Sequence, residues 1–390
     1  MKGALAAVTA ILSILFLCAC GGTSSNSTSS STPPGPTQPA PGSGGTGSSG
    51  GGSGSGSGSG SSSTVAIAYV SGSNNNFDGV RVDSNGNVSA TSGSPYSMPS
   101  AVENFAINNH LLLVASQVST AASAKSFHAD QDGNLTALTT TTLAADVNTF
   151  GFALDGSGGF AYVGGNSGIY GYAVNRDTGA LAALPGSPFP ASSPHGWAKI
   201  VVAPDGSRLC AIFPALKSLA SVVCFVRHAD GTLDTSAQGQ NKPAQNSGTG
   251  VALAITPDSA YLIWTDFDAG TVNASPIANN TGQRSGTAPS GGQNAAAVAN
   301  SGPWIAVLNS QPNNVAIFAV NSSGQITAAG SPVSIASQSG EVAFSADGSH
   351  LFVSTDSGLL SFSFNKSTGA LQPLNGGNPT PGEHFVVTAE

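Results

Sequence analysis

The stretch FAYVGGNSGIYGYAVNRDTGALAALPGSPFPASSPHGWAKIVVAPDGSRL, residues 160–209, holds the most complete copy of a pattern that fills most of the chain. It reads as a strand, a turn, a second strand, a Thr-Gly hairpin and a short third strand. A Gly-Ser-Pro corner follows, then a strand that ends in a Pro-Asp-Gly turn. Each strand is short and rich in β-branched or aromatic residues, and Gly, Asn and Asp mark the turns.

The strand ahead of the first turn recurs as AIAYV at 66, LLLVA at 111, FAYV at 160, LCAIF at 209, YLIWT at 261, WIAVL at 304 and HLFVS at 350. Successive starts lie 43 to 52 residues apart. The strand that runs into the Asp-Gly-type turn recurs as FAIN at 105, FGFALD at 150, IVVAPD at 200, VALAITPD at 251, AAAVAN at 295, VAFSAD at 342 and FVVTAE at 385. Gly-Ser-Pro returns at 93–95, 186–188 and 330–332. Seven copies of a four-stranded unit, with a period in the forties, predict a seven-bladed β-propeller. One four-stranded sheet cannot bury both faces; blades set radially bury them against each other. Residues 65–390 therefore read as one all-β domain.

The two ends of that domain are each incomplete. AIAYV is the second strand of a blade that lacks its innermost strand. FVVTAE has the innermost-strand pattern and no blade of its own. Pairing the C-terminal strand with the first blade closes the ring and removes two bare sheet edges. The alternative is an open array whose last strand frays.

Composition agrees with many short strands and tight turns. Of 390 residues, 51 are Gly and 23 Pro, 39% are apolar and 8% charged. The net charge of −8 comes from 19 acidic and 11 basic residues, with no basic stripe, so nucleic acid is not an expected partner.

Residues 1–19 read as a lipoprotein signal peptide. Lys2 supplies the positive start, and Ala4 to Leu17 form an apolar run too short to span a bilayer. Leu17-Cys18-Ala19-Cys20 resembles a bacterial lipobox, which makes Cys20 the lipidated residue and the membrane a partner through that lipid. An ordinary secretory peptide cut near Ala19 is the other reading. Residues 20–64 follow as a disordered Ser/Gly/Pro-rich tether, almost without apolar side chains. A Gly/Ser chain of this length spans roughly 35–40 Å. The expected location is extracytoplasmic, at an outer membrane or cell surface. Gly47-Ser48-Ser49-Gly50-Gly51 matches a nucleophile elbow in letters only, since no strand precedes it and no helix follows.

Cys210 and Cys224 fall on neighbouring strands of one blade, either side of a hairpin centred near Lys217. An oxidising compartment favours a disulfide between them; two buried thiols are the alternative. Neither has the companions that a metal site needs, and no motif calls for a metal or another cofactor.

The repeat YV-x-G…GAL…GSPF…P…VVAPDGS resembles the lactonase family of seven-bladed β-propellers, related to a 6-phosphogluconolactonase. The resemblance covers residues 65–390 and implies lactone hydrolysis at the central channel. Family enzymes carry Pro-Arg-His ahead of one inner strand and Asn-Glu after one second strand. This chain has Pro381-Gly382-Glu383-His384 at the first place, with Glu383 where the Arg would be. It has Leu308-Asn309-Ser310 at the second, with Ser310 in place of the acid.

Inner strands line a propeller's channel, and their first residues ring its mouth. Counting back from each terminal Asp-like residue puts Glu103, Thr149, Lys199, Ala252, Asn294, Glu341 and His384 at equivalent positions, with Asn148, Gln293 and Glu383 just ahead. Glu341, Glu383 with His384, and Glu103 then form an acidic arc on consecutive blades, with Lys199 roughly opposite. One reading makes His384 a general base oriented by a neighbouring carboxylate, with Lys199 or Asn294 stabilising an oxyanion. A second makes the arc a non-catalytic site for a small polar ligand or an envelope protein. A third leaves it a solvated channel mouth. His195 and Trp197 are further ligand-contact candidates. Trp264 and Trp304 read as blade packing.

Overall fold

Among the residues described there is no α-helix; seven sheets account for the fold. The computed structural model describes residues 64–72, 75–118, 121–190, 199–213, 221–236, 240–245, 250–278, 284–336, 339–375 and 387–389. The signal peptide, Cys20 and the tether up to residue 63 lie outside these, as do His195, Trp197, Glu383 and His384.

Blade 1 is built from Val387–Ala389, Thr64–Ser71, Asn76–Asp83 and Val88–Ala90, in that order from the channel outward. Blade 2 follows with Val102–Asn108, Leu111–Val118, Ala121–Ala129 and Leu135–Thr142. The inner strands of blades 3 to 7 are Val147–Leu154, Lys199–Val202, Gly250–Ile255, Gln293–Ser301 and Ser339–Phe344. Every pairing within a blade is antiparallel, as short hairpin turns require.

The ring closes as the sequence predicts. Ala68, Tyr69 and Val70 pair with Ala389, Thr388 and Val387, so the last strand completes the first blade. That strand also packs against the inner strands of blades 7 and 2.

Burial peaks on the second strands and falls toward the rim, and the sequence follows it. The second strands Leu111–Val118 and Phe160–Gly165 are nearly continuous apolar runs because both faces of the sheet are covered. The outer strand Leu135–Thr142 has no fully buried residue and is Thr-rich because its edge meets water. Seven apolar clusters fill the seven seams between blades. In the seam of blades 1 and 2, Phe77 meets Phe105 and Phe127 edge to face, each at 5.4 Å between ring centroids. Full burial of each such ring stabilises by about 1.5–3 kcal/mol.

Polar ties cross the same seams. Tyr69 Oη donates to the Gly133 carbonyl at 3.0 Å, and Tyr162 Oη to the Gly231 carbonyl at 2.7 Å. Both glycines have positive φ, +76° and +83°, in the outer hairpin of the next blade. A Cβ at Gly231 would lie 2.2 Å from Phe160, so the turn seats on its neighbour only because that atom is missing. Trp304 Nε1 makes the matching tie from blade 6 to the Lys366 carbonyl of blade 7, and Trp264 is fully buried. Both tryptophans are packing residues.

One charged group is sealed between blades 3 and 4. Arg227 Nη2 donates to Asp155 Oδ2 at 2.8 Å, with side-chain exposures of 6% and 3%. Its Nε donates to Tyr162 Oη and its Nη1 to the Gly206 carbonyl, and the guanidinium lies 4.8 Å from the centre of the Phe160 ring. In blade 4, Cys210 and Cys224 face each other across adjacent strands and are joined by a disulfide.

Candidate functional site

The inner strands determine which side chains reach the channel. Hydrogen bonds at the far end of each blade fix their level. The amides of Asp155, Ala203, Thr256 and Ser345 donate to the carbonyls of Phe160, Arg208, Tyr261 and His350, so these four residues are equivalent. The turn Asp is not. Asp155 occupies that level in blade 3, whereas Asp205, Asp258 and Asp347 come two residues later in blades 4, 5 and 7. Counting from the Asp therefore misaligns the blades.

The ladder registers place Asn104, Gly151, Lys199, Ala252, Ala297 and Glu341 on one level. Lys199, Ala252 and Glu341 stand where the sequence count put them. Glu103, Thr149 and Asn294 do not: they lie one, two and three residues nearer the mouth. Glu103 sits where the pairing of Val102 and Asn104 slips, and similar irregularities interrupt the inner strands of blades 3, 5, 6 and 7.

A cavity of about 170 Å³ occupies the channel at this level. Its walls differ by blade. Blades 2 and 3 supply Phe105, Phe150 and Phe152; blades 5 and 6 supply Ala252, Ala296 and Ala297. Between these walls, Lys199 Nζ of blade 4 lies 2.5 Å from Glu341 Oε1 of blade 7. The pair bridges the channel, and its members are the only charged residues among the cavity's described lining. Their side chains remain 36% and 24% exposed, so water reaches both. The backbone of Glu341 is pinned by Ser354, whose Oγ accepts from the Glu341 amide at 2.8 Å.

The sequence-predicted residues divide accordingly. Lys199 and Glu341 are brought into contact. Glu103 is not part of the cavity lining. Its carboxyl is pushed above the ordinary carboxylate range by burial. Asn148 is half-buried and spends its Oδ1 on the Phe150 amide, at 3.1 Å; Gln293 is exposed at the start of its strand. Asn294 lies on the same strand. Among the described residues no group of three or more His, Cys, Asp or Glu could hold a metal ion.

Two residues that counting missed help to shape the site. Asn104 donates from Nδ2 to the Phe150 carbonyl at 2.6 Å, tying the inner strands of blades 2 and 3. Phe150 is one of three large apolar residues exposed to solvent among the described residues, at 40%. Its aromatic ring in an inner-strand start, FGFALD, was a visible signal; the irregularity that turns it into the channel was not.

Solved structures share this architecture. A protein from Lactobacillus plantarum matches with a TM-score of 0.67 at 15% identity, covering 84% of this chain and 99% of that one. The periplasmic gluconolactonase of Pseudomonas aeruginosa matches with a TM-score of 0.61 at 20% identity, covering 82% and 98%. At such identities the likeness establishes the seven-bladed fold. No family model matches the sequence, and no curated protein matches it.

Proposed function

We propose that this chain is a lactonase-like propeller held outside the cytoplasm, which opens a small lactone in its central channel. The Lys199–Glu341 couple carries this reading: an acid and a cation meet across the channel cavity. Glu341 acts as general base and takes a proton from a water molecule, whose oxygen attacks the lactone carbonyl carbon. Lys199 stabilises the negative charge that develops on the carbonyl oxygen. The bond from that carbon to the ring oxygen then breaks, the ring oxygen takes the proton from Glu341, and a hydroxy acid leaves. The shared fold with a periplasmic gluconolactonase supports the reaction class. His384, with Glu383 beside it in sequence, stays as a second candidate base, and Glu103 as a candidate acid whose carboxyl burial shifts upward.

Acid release from a panel of sugar and aliphatic lactones, followed at constant pH with the purified full chain, tests the reading. Turnover should vanish in Glu341→Gln and fall in Lys199→Met. Turnover that survives Glu341→Gln and disappears in His384→Ala would move the base to His384.

A second reading is a non-catalytic propeller that binds a polar ligand or an envelope protein; the closed contact between Lys199 and Glu341 engages both groups of the proposed catalytic pair with each other. If no lactone is opened, ligand-dependent melting shifts and capture of envelope proteins test it. The extracytoplasmic location is supported by the Cys210–Cys224 disulfide, a bond rare in reducing compartments. Lipid anchoring at Cys20 predicts palmitate labelling that Cys20→Ser abolishes.

A further inference from the structure

We infer that His110 and His128, at the far end of blade 2, form a two-histidine site for a divalent transition metal of the copper class. The site lies away from the channel mouth and does not depend on lactone chemistry.

The turn between the first two strands of blade 2 is unusual. Asn108 pairs with Leu111, so Asn109 and His110 alone join the strands. Their φ angles are +43° and +64°. Two consecutive positive values mark a type I′ turn, for which Asn-Gly is the favoured sequence. Blade 6 makes an equally short turn between Ser301 and Trp304, and there Gly302 takes the positive angle, +55°. Blade 2 instead holds an imidazole where glycine would carry no strain. Histidine tolerates this conformation better than most residues. Such outliers cluster at sites of use.

The second histidine stands on the third strand. His128 lies opposite Leu111. The His110 and His128 rings are 6.3 Å apart between centroids, with 37° between their planes. Both residues are exposed. A metal sits about 2.0–2.1 Å from an imidazole nitrogen, so two rings on one ion have centres roughly 5–6.5 Å apart. The observed spacing already falls in that window. The Asp130 carboxylate lies within electrostatic reach of His128 and adds negative charge. The turn is held from two sides: Arg176 Nη2 of blade 3 donates to the Asn109 carbonyl at 3.4 Å, and the Ala129 amide donates to the His110 carbonyl at 2.7 Å. A pair held in place gives up less freedom when it chelates.

The donors name the metal class. Imidazole nitrogens suit copper, nickel and zinc, whereas calcium and magnesium seek oxygen. Among divalent ions of the first transition row, copper binds a nitrogen site most tightly. No third His, Cys, Asp or Glu completes a metal-holding group among the described residues, so water fills the remaining positions. That makes the site open and exchangeable, unlike a closed structural one.

Electron paramagnetic resonance on the untagged full chain, titrated with copper(II) chloride in a non-chelating buffer, tests this. The first equivalent should give a spectrum split by two nitrogen nuclei, and excess calcium should leave it unchanged. His110→Asn keeps a residue that accepts the left-handed turn, and His128→Gln keeps a polar side chain on the strand. Each should weaken the site by about tenfold or more, since losing even a supporting partner of a ligand costs about 10–100-fold. Melting of the metal-free variants should match the parent. Saturating nickel(II) should raise the melting temperature of the parent and of neither variant. Unchanged copper affinity in both variants, a spectrum split by one nitrogen, or loss of the site only in His350→Gln would overturn the inference. So would a parent that binds copper no more tightly than the double variant.

Discussion

Lys199 and Glu341 touch at 2.5 Å although two whole blades separate their strands around the ring. The contact is a strut across the channel, and it is half in water. Exposed pairs of this kind stabilise by about 0.2–1 kcal/mol. A double-mutant cycle with Lys199→Met and Glu341→Gln in urea should return a coupling of that size. At 1 M salt, where the screening length drops to about 3 Å, the coupling should shrink. A coupling indifferent to salt would mean that the pair is sealed from solvent.

Glu103 should make the protein less stable at neutral pH than an uncharged analogue would. Burial raises its carboxyl above the ordinary 4.5, so the folded state prefers the protonated form. The favourable contribution is complete below the ordinary value and is lost as pH rises through the raised one. Glu103→Gln should therefore raise the melting temperature at pH 7. The advantage should close as the pH falls below about 4. A constant offset at every pH would assign the change to packing.

Arg227 is the cation whose loss should hurt most. It bonds Asp155, Tyr162 and the Gly206 carbonyl from an almost fully buried position. Arg227→Met strands the Asp155 carboxylate, and breaking such a pair costs about 3–5 kcal/mol in urea unfolding. Arg227→Lys should recover little, because a point charge cannot reach three acceptors in a fork. Replacing both partners, as Arg227→Met with Asp155→Asn, should cost less than Arg227→Met alone. The same joint fixes an alkaline limit. Burial pushes Tyr162 up to about 12, so its contribution holds below its ordinary value of 10 and drains away as pH climbs through about 12.

Removing residues 387–390 should open the ring. Ala68, Tyr69 and Val70 would lose their partners and expose a strand edge beside an uncovered seam. Light scattering coupled to size exclusion should report association, and the melting transition should broaden or fall. A truncated chain that stays monomeric and melts unchanged would contradict closure through that strand.

The fold was legible because each blade repeats the same physical problem. Runs such as LLLVA and FAYV announce strands covered on both faces, and their spacing counts the blades. The closing strand was legible too, since FVVTAE and AIAYV each lack what the other has. The channel was only half legible. Counting from the turn Asp finds Lys199 and Glu341 but substitutes Thr149 for Gly151 and Asn294 for Ala297. The Asp moves by two places within a turn of constant length between Asp155 and Asp205, and strand irregularities add further offsets. Opposite charges three blades apart could be seen in the sequence, yet their contact across the channel exists only in the closed ring.

The Cys210–Cys224 bond has a use beyond tying two strands. Both sulfurs are walled in by Leu253, Leu262 and Trp264 of the adjoining blade. A reductant can arrive only while that wall stands ajar. The pace at which a trapping dye finds new thiols is then a stopwatch on a single joint of the ring, built into the molecule and needing no attached label.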